Sequence, residues 1–182
     1  LGRALWWLHD VDGAISQVER AYAGHREAGD GRRAAADALW LAREFAAADP
    51  RVRYFRNPTN VGAHPNFNLA FNRSRGRYFK WLAHDDLLHP DYLQRCVAVL
   101  DADPGVALCQ ADLAAIDESG QPVGVVPWRL EAACSADPVR RFAAILLERH
   151  NCYDFMGVIR RDILAQAPLK SFHGGDRTLL AH

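Results

Sequence analysis

Two adjacent carboxylates, Asp85 and Asp86, follow directly on the apolar run at residues 78–82. In open α/β sheets, ligands bind beyond the carboxyl ends of the strands. Two carboxylates at such a place can hold a hard divalent cation, which in turn neutralises a diphosphate. The same pair also suits a solvated turn or a helix cap, so the pattern alone leaves both interpretations open.

Asp176, in the run Gly174-Gly175-Asp176, is a second acidic candidate. A carboxylate placed here could act as a general base that takes a proton from a hydroxyl group. The two glycines would permit a sharp turn and a close approach of the backbone to a ligand. The alternative is that Asp176 only caps the helix expected to begin at Arg177, and the pattern alone favours the cap.

The elements that must position these residues alternate between strands and helices from Asp49 onward. Helices are predicted where Pro65 and Pro90 suit a first turn, where Asp137 precedes Pro138, and after the loop at 173–176. Short apolar or alternating runs predict the strands, at residues 52–55, 78–82, 106–109 and 155–159. A turn is expected at 118–120. This α/β alternation predicts a mostly parallel sheet with flanking helices.

Residues 1–48 have a different character, with two helical patterns that are interrupted at residues 29–31. The stretch at residues 4–14 resembles a tetratricopeptide-type repeat. One repeat cannot bury its own apolar face, so its tryptophans, Trp6, Trp7 and Trp40, must pack on the following domain or stay exposed. The expected organisation is an α-helical hairpin at 1–48, used as packing or as a binding surface for a protein partner, and an α/β domain at 49–182.

Composition gives no sign of a charged partner, because Lys plus Arg and Asp plus Glu both number 22 among the 182 residues. This balance argues against nucleic acid or an anionic membrane as a partner. The four cysteines form no C-x-x-C pair, and no apolar run approaches the roughly 18 residues needed to span a bilayer. A cytoplasmic protein with reduced thiols is expected. Because the chain starts at Leu1 and stops within an apparent helix, we expect a fragment.

An ordered series of short motifs gives these residues a context. Asn60-Val61-Gly62 is followed by Arg75-Gly76-Arg77-Tyr78-Phe79-Lys80-Trp81, by His84-Asp85-Asp86, by His89-Pro90-Asp91-Tyr92-Leu93, and by Asp103-Pro104-Gly105-Val106. This series resembles the family 2 glycosyltransferases of the GT-A fold, a Rossmann-like architecture, over residues 49–182. The resemblance implies an inverting enzyme that transfers a sugar, with the assistance of a metal, from a nucleotide-sugar donor to an acceptor hydroxyl.

The resemblance also implies roles for individual residues. Asp86 would be the ligand of Mn or Mg, Asp85 would accept a hydrogen bond from the donor's ribose, and Asp176 would be the catalytic base. His84 stands where the family has an acidic residue, and it could donate to a phosphate or face solvent. Three further residues lie where the family has its donor-side loop and helix: Asn60, Gly62 and Asn68.

Two of these donor-side residues also have a purely structural interpretation. Asn60 could be a turn residue that tolerates unusual dihedral angles, and Asn68 could be an exposed helix position. Residues 151–156, together with Trp128, could shape an acceptor pocket. The first strands of the family are not visible before Asp49, where the helical hairpin stands instead, so we expect weak nucleotide binding and slow or absent transfer.

Other classes of function remain possible at this stage. A metal-dependent phosphohydrolase could use the His84-Asp85 doublet, with further histidines available at His64, His89, His150 and His173. That chemistry needs histidines that converge on the metal from neighbouring helices. The non-enzymatic alternative is a helical-repeat interaction module at 1–48 fused to an inert α/β remnant, or two halves that share no function.

Overall fold

The computed structural model describes residues 43, 46–82, 86–117, 120–127, 130–148, 150–170 and 175–181. The chain divides into two compact units, Leu1–Val61 and Gly62–His182. The predicted helical hairpin lies outside the described residues, except for residues 43 and 46–48, which are helical. Residues 52–55 were expected to form a strand, but they form no regular structure within the described part of the first unit. Alternating residues give a strand only where a ladder partner is present.

The second unit contains helices and strands, as the sequence predicts, but three strands follow one another in its middle instead of alternating with helices. Its elements are α1 Ala63–Arg73, β1 Tyr78–Phe79, α2 Tyr92–Ala102, β2 Leu108–Cys109, β3 Leu113–Ile116, β4 Pro122–Val126, α3 Pro138–Leu147, β5 Val158–Arg160, α4 Arg161–Leu164 and α5 Gly175–Ala181. Two 3-10 helices, Glu131–Cys134 and Tyr153–Met156, complete the set. The prediction of a strand over residues 155–159 is therefore wrong in its first half, which belongs to a 3-10 helix.

Local signals set the helix starts. Pro65 lies in the first turn of α1, where its missing N–H costs no hydrogen bond. The Asp137 carboxylate accepts a hydrogen bond from the backbone N–H of Val139 at 2.9 Å, and Pro138 is the first residue of α3. The starts of α1 and α3 therefore agree with the prediction, because each depends on neighbouring residues alone. Pro90 was also expected in a first turn, but α2 begins at Tyr92, two residues after it.

The expectation of a mostly parallel sheet is wrong for the described strands. Sheet order is β1-β5-β2, and β5 is antiparallel to both neighbours, with Tyr78 opposite Arg160 and Leu108 opposite Ile159. Two strands that are each antiparallel to β5 run in the same direction, so β1 and β2 are parallel to each other on either side of β5, and α2 links them. The alternation of elements in the sequence predicts this helical connection between two parallel strands correctly. It does not predict that β5 is inserted between the two strands. A separate antiparallel hairpin joins β3 to β4.

An aromatic cluster forms the core beneath α1. Trp81, only 1% exposed, packs against Phe67, Phe79 and Phe155, with ring centroids 5.0–5.9 Å apart. Its indole N–H donates to the backbone carbonyl of Phe67 at 3.0 Å, so the polar atom of this ring is satisfied. The cluster fixes the chain immediately after β1, from which the carboxylate motif follows.

A second core lies between α2 and the sheet. Tyr92, Cys96 and Leu100 of α2 are buried against Val158 of β5. The Arg160 guanidinium, at the far end of β5, binds the backbone carbonyls of Leu100, Val106 and Asp103. This arginine therefore fastens the connection between α2 and β2 to the central strand.

None of the described helices is long and apolar enough to cross a bilayer. The four cysteines all lie in the described part of the chain, and all are free thiols. They agree with the reduced thiols that the sequence predicts.

Candidate functional site

The candidate site lies at the carboxyl edge of the parallel pair. Lys80 directly follows β1 and Gln110 directly follows β2, so both lie at the same edge of the sheet. Because β5 runs the opposite way, the residues that precede it, including Met156, also come to this edge. In α/β sheets this is the edge at which ligands bind.

Lys80 is the charged centre of this edge. Its ammonium donates a hydrogen bond to the backbone carbonyl of Met156 and lies 5.0 Å from the centre of the Tyr92 ring. Burial lowers the pKa of Lys80 to about 8, although the nearby Asp86 carboxylate acts in the opposite direction and favours the charged form. The side chain therefore lies half-buried beside a carboxylate of the sequence motif.

Two hydrogen bonds extend from Tyr92, whose ring contacts Lys80, across the edge. The Tyr92 hydroxyl donates to the side-chain oxygen of Gln110, whose amide donates to the backbone carbonyl of Tyr153 at 3.4 Å. Burial raises the pKa of the Tyr92 hydroxyl, so this group stays a neutral donor. The ends of β1 and β2 are thus joined to the same 3-10 helix, Tyr153–Met156.

Asp86 is the one member of the His84-Asp85-Asp86 motif within the described residues, and its side chain is exposed. Across the described ranges no three His, Cys, Asp or Glu side chains gather as a metal site. An exposed carboxylate at this edge nevertheless fits a cation that is shared between one or two carboxylates, water and a phosphate-bearing ligand. Mg²⁺ is commonly bound in this way. The described residues at this edge therefore fit a cation that a phosphate-bearing ligand also helps to hold.

Asp176 lies in the first turn of α5, one residue after the helix begins at Gly175. One carboxylate oxygen accepts a hydrogen bond from the backbone N–H of Arg177 at 2.8 Å. Asp176 was expected to cap a helix that begins at Arg177, but the helix begins earlier, at Gly175. Asp176 therefore lies within the first helical turn and accepts a hydrogen bond from it. A side chain at Gly175 would place its Cβ 2.1 Å from the Lys170 carbonyl oxygen, so this glycine serves packing.

Arg177 anchors the helix that carries Asp176. Its guanidinium binds the backbone carbonyls of Leu146, Glu148 and His150 at 2.9–3.3 Å. These carbonyls lie at and beyond the carboxyl end of α3, where a cation is favourable. The anchor fixes α5 against α3.

Cys152 lies beside Asp176 and immediately before the 3-10 helix Tyr153–Met156. Burial and then the Asp176 carboxylate raise the pKa of the Cys152 thiol to about 11. Lys80 contacts the last residue of that 3-10 helix, so the segment at 152–156 links the neighbourhoods of Asp86 and Asp176. The Asp176 carboxylate therefore acts on one end of this segment, at Cys152, and the Lys80 ammonium bonds to the other end, at Met156.

A cysteine nucleophile is not supported at Cys152, although His150 lies close. His150 Nδ1 accepts the Cys152 backbone N–H at 3.1 Å, and His150 Nε2 lies 2.8 Å from the Ile145 carbonyl oxygen. Nε2 must therefore carry the proton, and neither ring nitrogen is available to accept one from the thiol. Burial raises the pKa of the Cys152 thiol and so keeps it protonated, and a protonated thiol is a poor nucleophile.

The donor-side residues predicted from sequence are placed as follows. Asn60 is exposed in the first unit, and Gly62 precedes α1 with φ +82°, a conformation that favours glycine. Asn68 is half-buried, which corrects the expectation of an exposed helix position. Its side-chain amide donates to the Leu169 carbonyl at 2.8 Å and accepts the Leu169 N–H at 3.1 Å. Both polar atoms of Asn68 thus clamp α1 to the segment after α4.

Because of this clamp, we expect Asn68 to contribute to the stability of the fold and not to nucleotide binding. We expect Asn68→Ala to lower the free energy of unfolding by roughly 1–3 kcal/mol, because the Leu169 N–H and carbonyl lose their partners. Nucleotide affinity should change less than about twofold in calorimetric titration. Asn72→Ala, at an exposed position of the same helix, is the control and should change neither quantity. Loss of affinity without loss of stability would instead support the donor-side role.

Among the described residues, the histidines of the phosphohydrolase alternative do not gather into a metal site. His89 Nδ1 accepts the backbone N–H of Asp91 at 3.2 Å, and His150 is held by Ile145 and Cys152. His84 and His173 lie outside the described residues. The described histidines therefore give that alternative no support.

Lys80 and Gln110 were not predicted as site residues, whereas Cys152 lies within the segment 151–156 that was expected to shape an acceptor pocket. A signal for Lys80 was present, because it is the one charged residue in the apolar run at 78–82. A lone charge in an apolar run needs a partner when it is buried. Gln110 carries no comparable local signal, since its partners Tyr92 and Tyr153 are distant in sequence.

Comparison with known proteins identifies the family. The family model for glycosyl transferase family 2 matches residues 37–166. An uncharacterized protein, y4gI, of Sinorhizobium fredii is 41% identical over 78 residues, which cover 43% of this chain and 9% of that protein. Uncharacterized glycosyltransferases of Rickettsia bellii and Rickettsia felis are 33% identical over 51 residues and 31% over 71, covering 28% and 38% of this chain.

These relatives are much longer proteins. The aligned segments span 9%, 7% and 12% of their lengths. No solved structure matches the chain. The family match begins before the predicted boundary at Asp49, and nothing in the comparisons supports the tetratricopeptide-like hairpin. Because the match covers more than two thirds of the residues, the chain belongs to glycosyl transferase family 2, a family of transferases whose membership implies the GT-A fold.

Proposed function

We propose that this chain carries the donor site of an inverting glycosyltransferase that moves a sugar from a nucleotide-sugar to an acceptor hydroxyl. The observation that carries the proposal is the exposed Asp86 carboxylate at the carboxyl edge of the β1–β2 pair, beside the Lys80 ammonium. Asp86 could bind a cation there, and an anionic ligand could interact with both that cation and the Lys80 ammonium. Family membership supports a nucleotide-sugar as that ligand.

Family membership suggests which residues would hold the donor. Asp86 would hold Mn or Mg, and Asp85 would accept a hydrogen bond from the ribose. Asn60 and Gly62 would be further donor-side residues, whereas Asn68 would only stabilise the fold through its clamp on Leu169. A bound divalent cation would neutralise charge on the diphosphate and so make it a better leaving group.

Asp176 would be the base for the acceptor. Its carboxylate takes the proton of the acceptor hydroxyl as that oxygen forms a bond to the anomeric carbon. The bond between the anomeric carbon and the phosphate oxygen breaks at the same time, and its electron pair leaves with the nucleoside diphosphate. Attack from the face opposite the leaving group inverts the configuration. The anchoring of α5 by Arg177 supports this role, because a base must be held in place.

Calorimetric titration of the 182-residue chain with UDP and with GDP, each with and without Mn, tests the donor site. We expect one of the nucleotides to bind in the presence of Mn and to bind at least tenfold more weakly without it. Circular dichroism on the same sample establishes that the chain is folded. A folded chain that binds neither nucleotide with Mn present would contradict the proposal.

A further inference from the structure

Lys80 contacts two separate elements from one position at the end of β1. Its ammonium donates to the Met156 carbonyl of the 3-10 helix, and it lies 5.0 Å from the Tyr92 ring at the start of α2. Its flanking residues Phe79 and Trp81 belong to the aromatic cluster. The lysine stem is therefore fixed on both sides, and the charge has little freedom to move.

The partners of Lys80 are themselves held in place. Tyr92 is joined to Gln110, and Gln110 to the Tyr153 carbonyl at 3.4 Å. The 3-10 helix thus receives one hydrogen bond from the end of β1 and one from the end of β2. A charge supported in this way is preorganised, because its surroundings need not rearrange when a ligand arrives.

The Lys80 ammonium lies within the electrostatic influence of the exposed Asp86 carboxylate. The Asp86 carboxylate is the nearest acidic influence that favours the charged form of Lys80. The two side chains are not in a salt bridge, so the carboxylate remains open to another cation while the ammonium is close enough to influence it. An anion bound next to Asp86 would also lie within the field of Lys80.

We propose that Lys80 is a positioning residue that fixes the carboxyl edge and places a positive charge near Asp86, where it attracts the donor's diphosphate and opposes the divalent cation. The inference rests on the proposed donor site. It adds to that site a residue that would set the balance between metal affinity and nucleotide affinity.

Two consequences of opposite sign follow when the charge is removed. In Lys80→Met the repulsion between Lys80 and a cation at Asp86 is lost, so Mn alone should bind more tightly. The attraction for the diphosphate is also lost, so UDP or GDP should bind more weakly at saturating Mn. A residue with only a packing role would weaken both, because a disordered edge serves neither ligand.

Calorimetric titration with Mn alone, then with nucleotide at saturating Mn, measures both quantities in the full chain. For Lys80→Met we expect Mn to bind roughly three- to tenfold more tightly and the nucleotide roughly tenfold more weakly. Lys80→Arg keeps the charge and should stay within about threefold of the wild type in both. Lys170→Met, at an exposed lysine, is the matched control and should change neither.

Each outcome decides the inference. If Lys80→Met binds both ligands more weakly, or neither affinity changes, the electrostatic role is wrong. If Lys80→Met does not fold, Lys80→Gln, which keeps a donor for the Met156 carbonyl, provides the same comparison with Lys80→Arg. A wild-type chain that binds neither ligand refutes the proposed donor site itself, and the role of Lys80 falls with it. Binding by the wild type with unchanged variants refutes the role of Lys80 alone.

Discussion

Asp176→Asn should lower kcat for sugar transfer by roughly 10²–10⁴-fold while nucleotide affinity stays within about twofold. The amide has nearly the same shape as the carboxylate, and its oxygen can still accept the Arg177 backbone N–H. The helix and its Arg177 anchor should therefore persist. What is lost is the ability to take a proton from the acceptor hydroxyl as the new bond forms.

Transfer is measured with the donor nucleotide that titration identifies and a set of hydroxyl acceptors. Asp154→Asn is the matched control, because Asp154 lies in the 3-10 helix next to Cys152, whose pKa both carboxylates raise. We expect Asp154→Asn to keep at least about a third of the wild-type kcat. If Asp154→Asn abolishes transfer and Asp176→Asn does not, the roles of base must be exchanged.

Local signals in the sequence were sufficient for much of this fold. The starts of α1 and α3 depend on Pro65, Asp137 and Pro138, whose effects act within one helical turn. The direction of the sheet depends instead on where β5 is inserted. Its partners Tyr78 and Leu108 are far from it in sequence, and no local pattern encodes that pairing.

The residues of the candidate site likewise differ in whether local sequence signals or distant partners determine their positions. Asp86 could be placed from the apolar run before it, because a strand followed by carboxylates brings them to the edge of a sheet. Asn68 could not be assigned in this way, since its partner Leu169 is 101 residues away. The network of Lys80, Gln110 and the 3-10 helix depends on three segments that only folding brings together.

Asp86→Ala should abolish the dependence of nucleotide binding on Mn. The variant removes the described carboxylate that would share the cation with the diphosphate, so the cation no longer links the nucleotide to the protein. We expect nucleotide affinity at saturating Mn to fall to the wild-type value without Mn, at least about tenfold, which corresponds to roughly 1.4 kcal/mol. Stability should change little, because the Asp86 side chain is exposed.

Asp162→Ala is the control that makes this result specific. Asp162 is also an exposed aspartate next to a strand, but it follows β5 and therefore lies at the opposite edge of the sheet from Asp86. Both variants lose one negative charge, so a general electrostatic effect would weaken Mn-dependent binding in both. Loss in Asp86→Ala alone would locate the cation at the carboxyl edge of β1. Equal loss in both, or none in Asp86→Ala, would mean that the cation is held elsewhere, and Asp86 would then be a solvated residue of the turn.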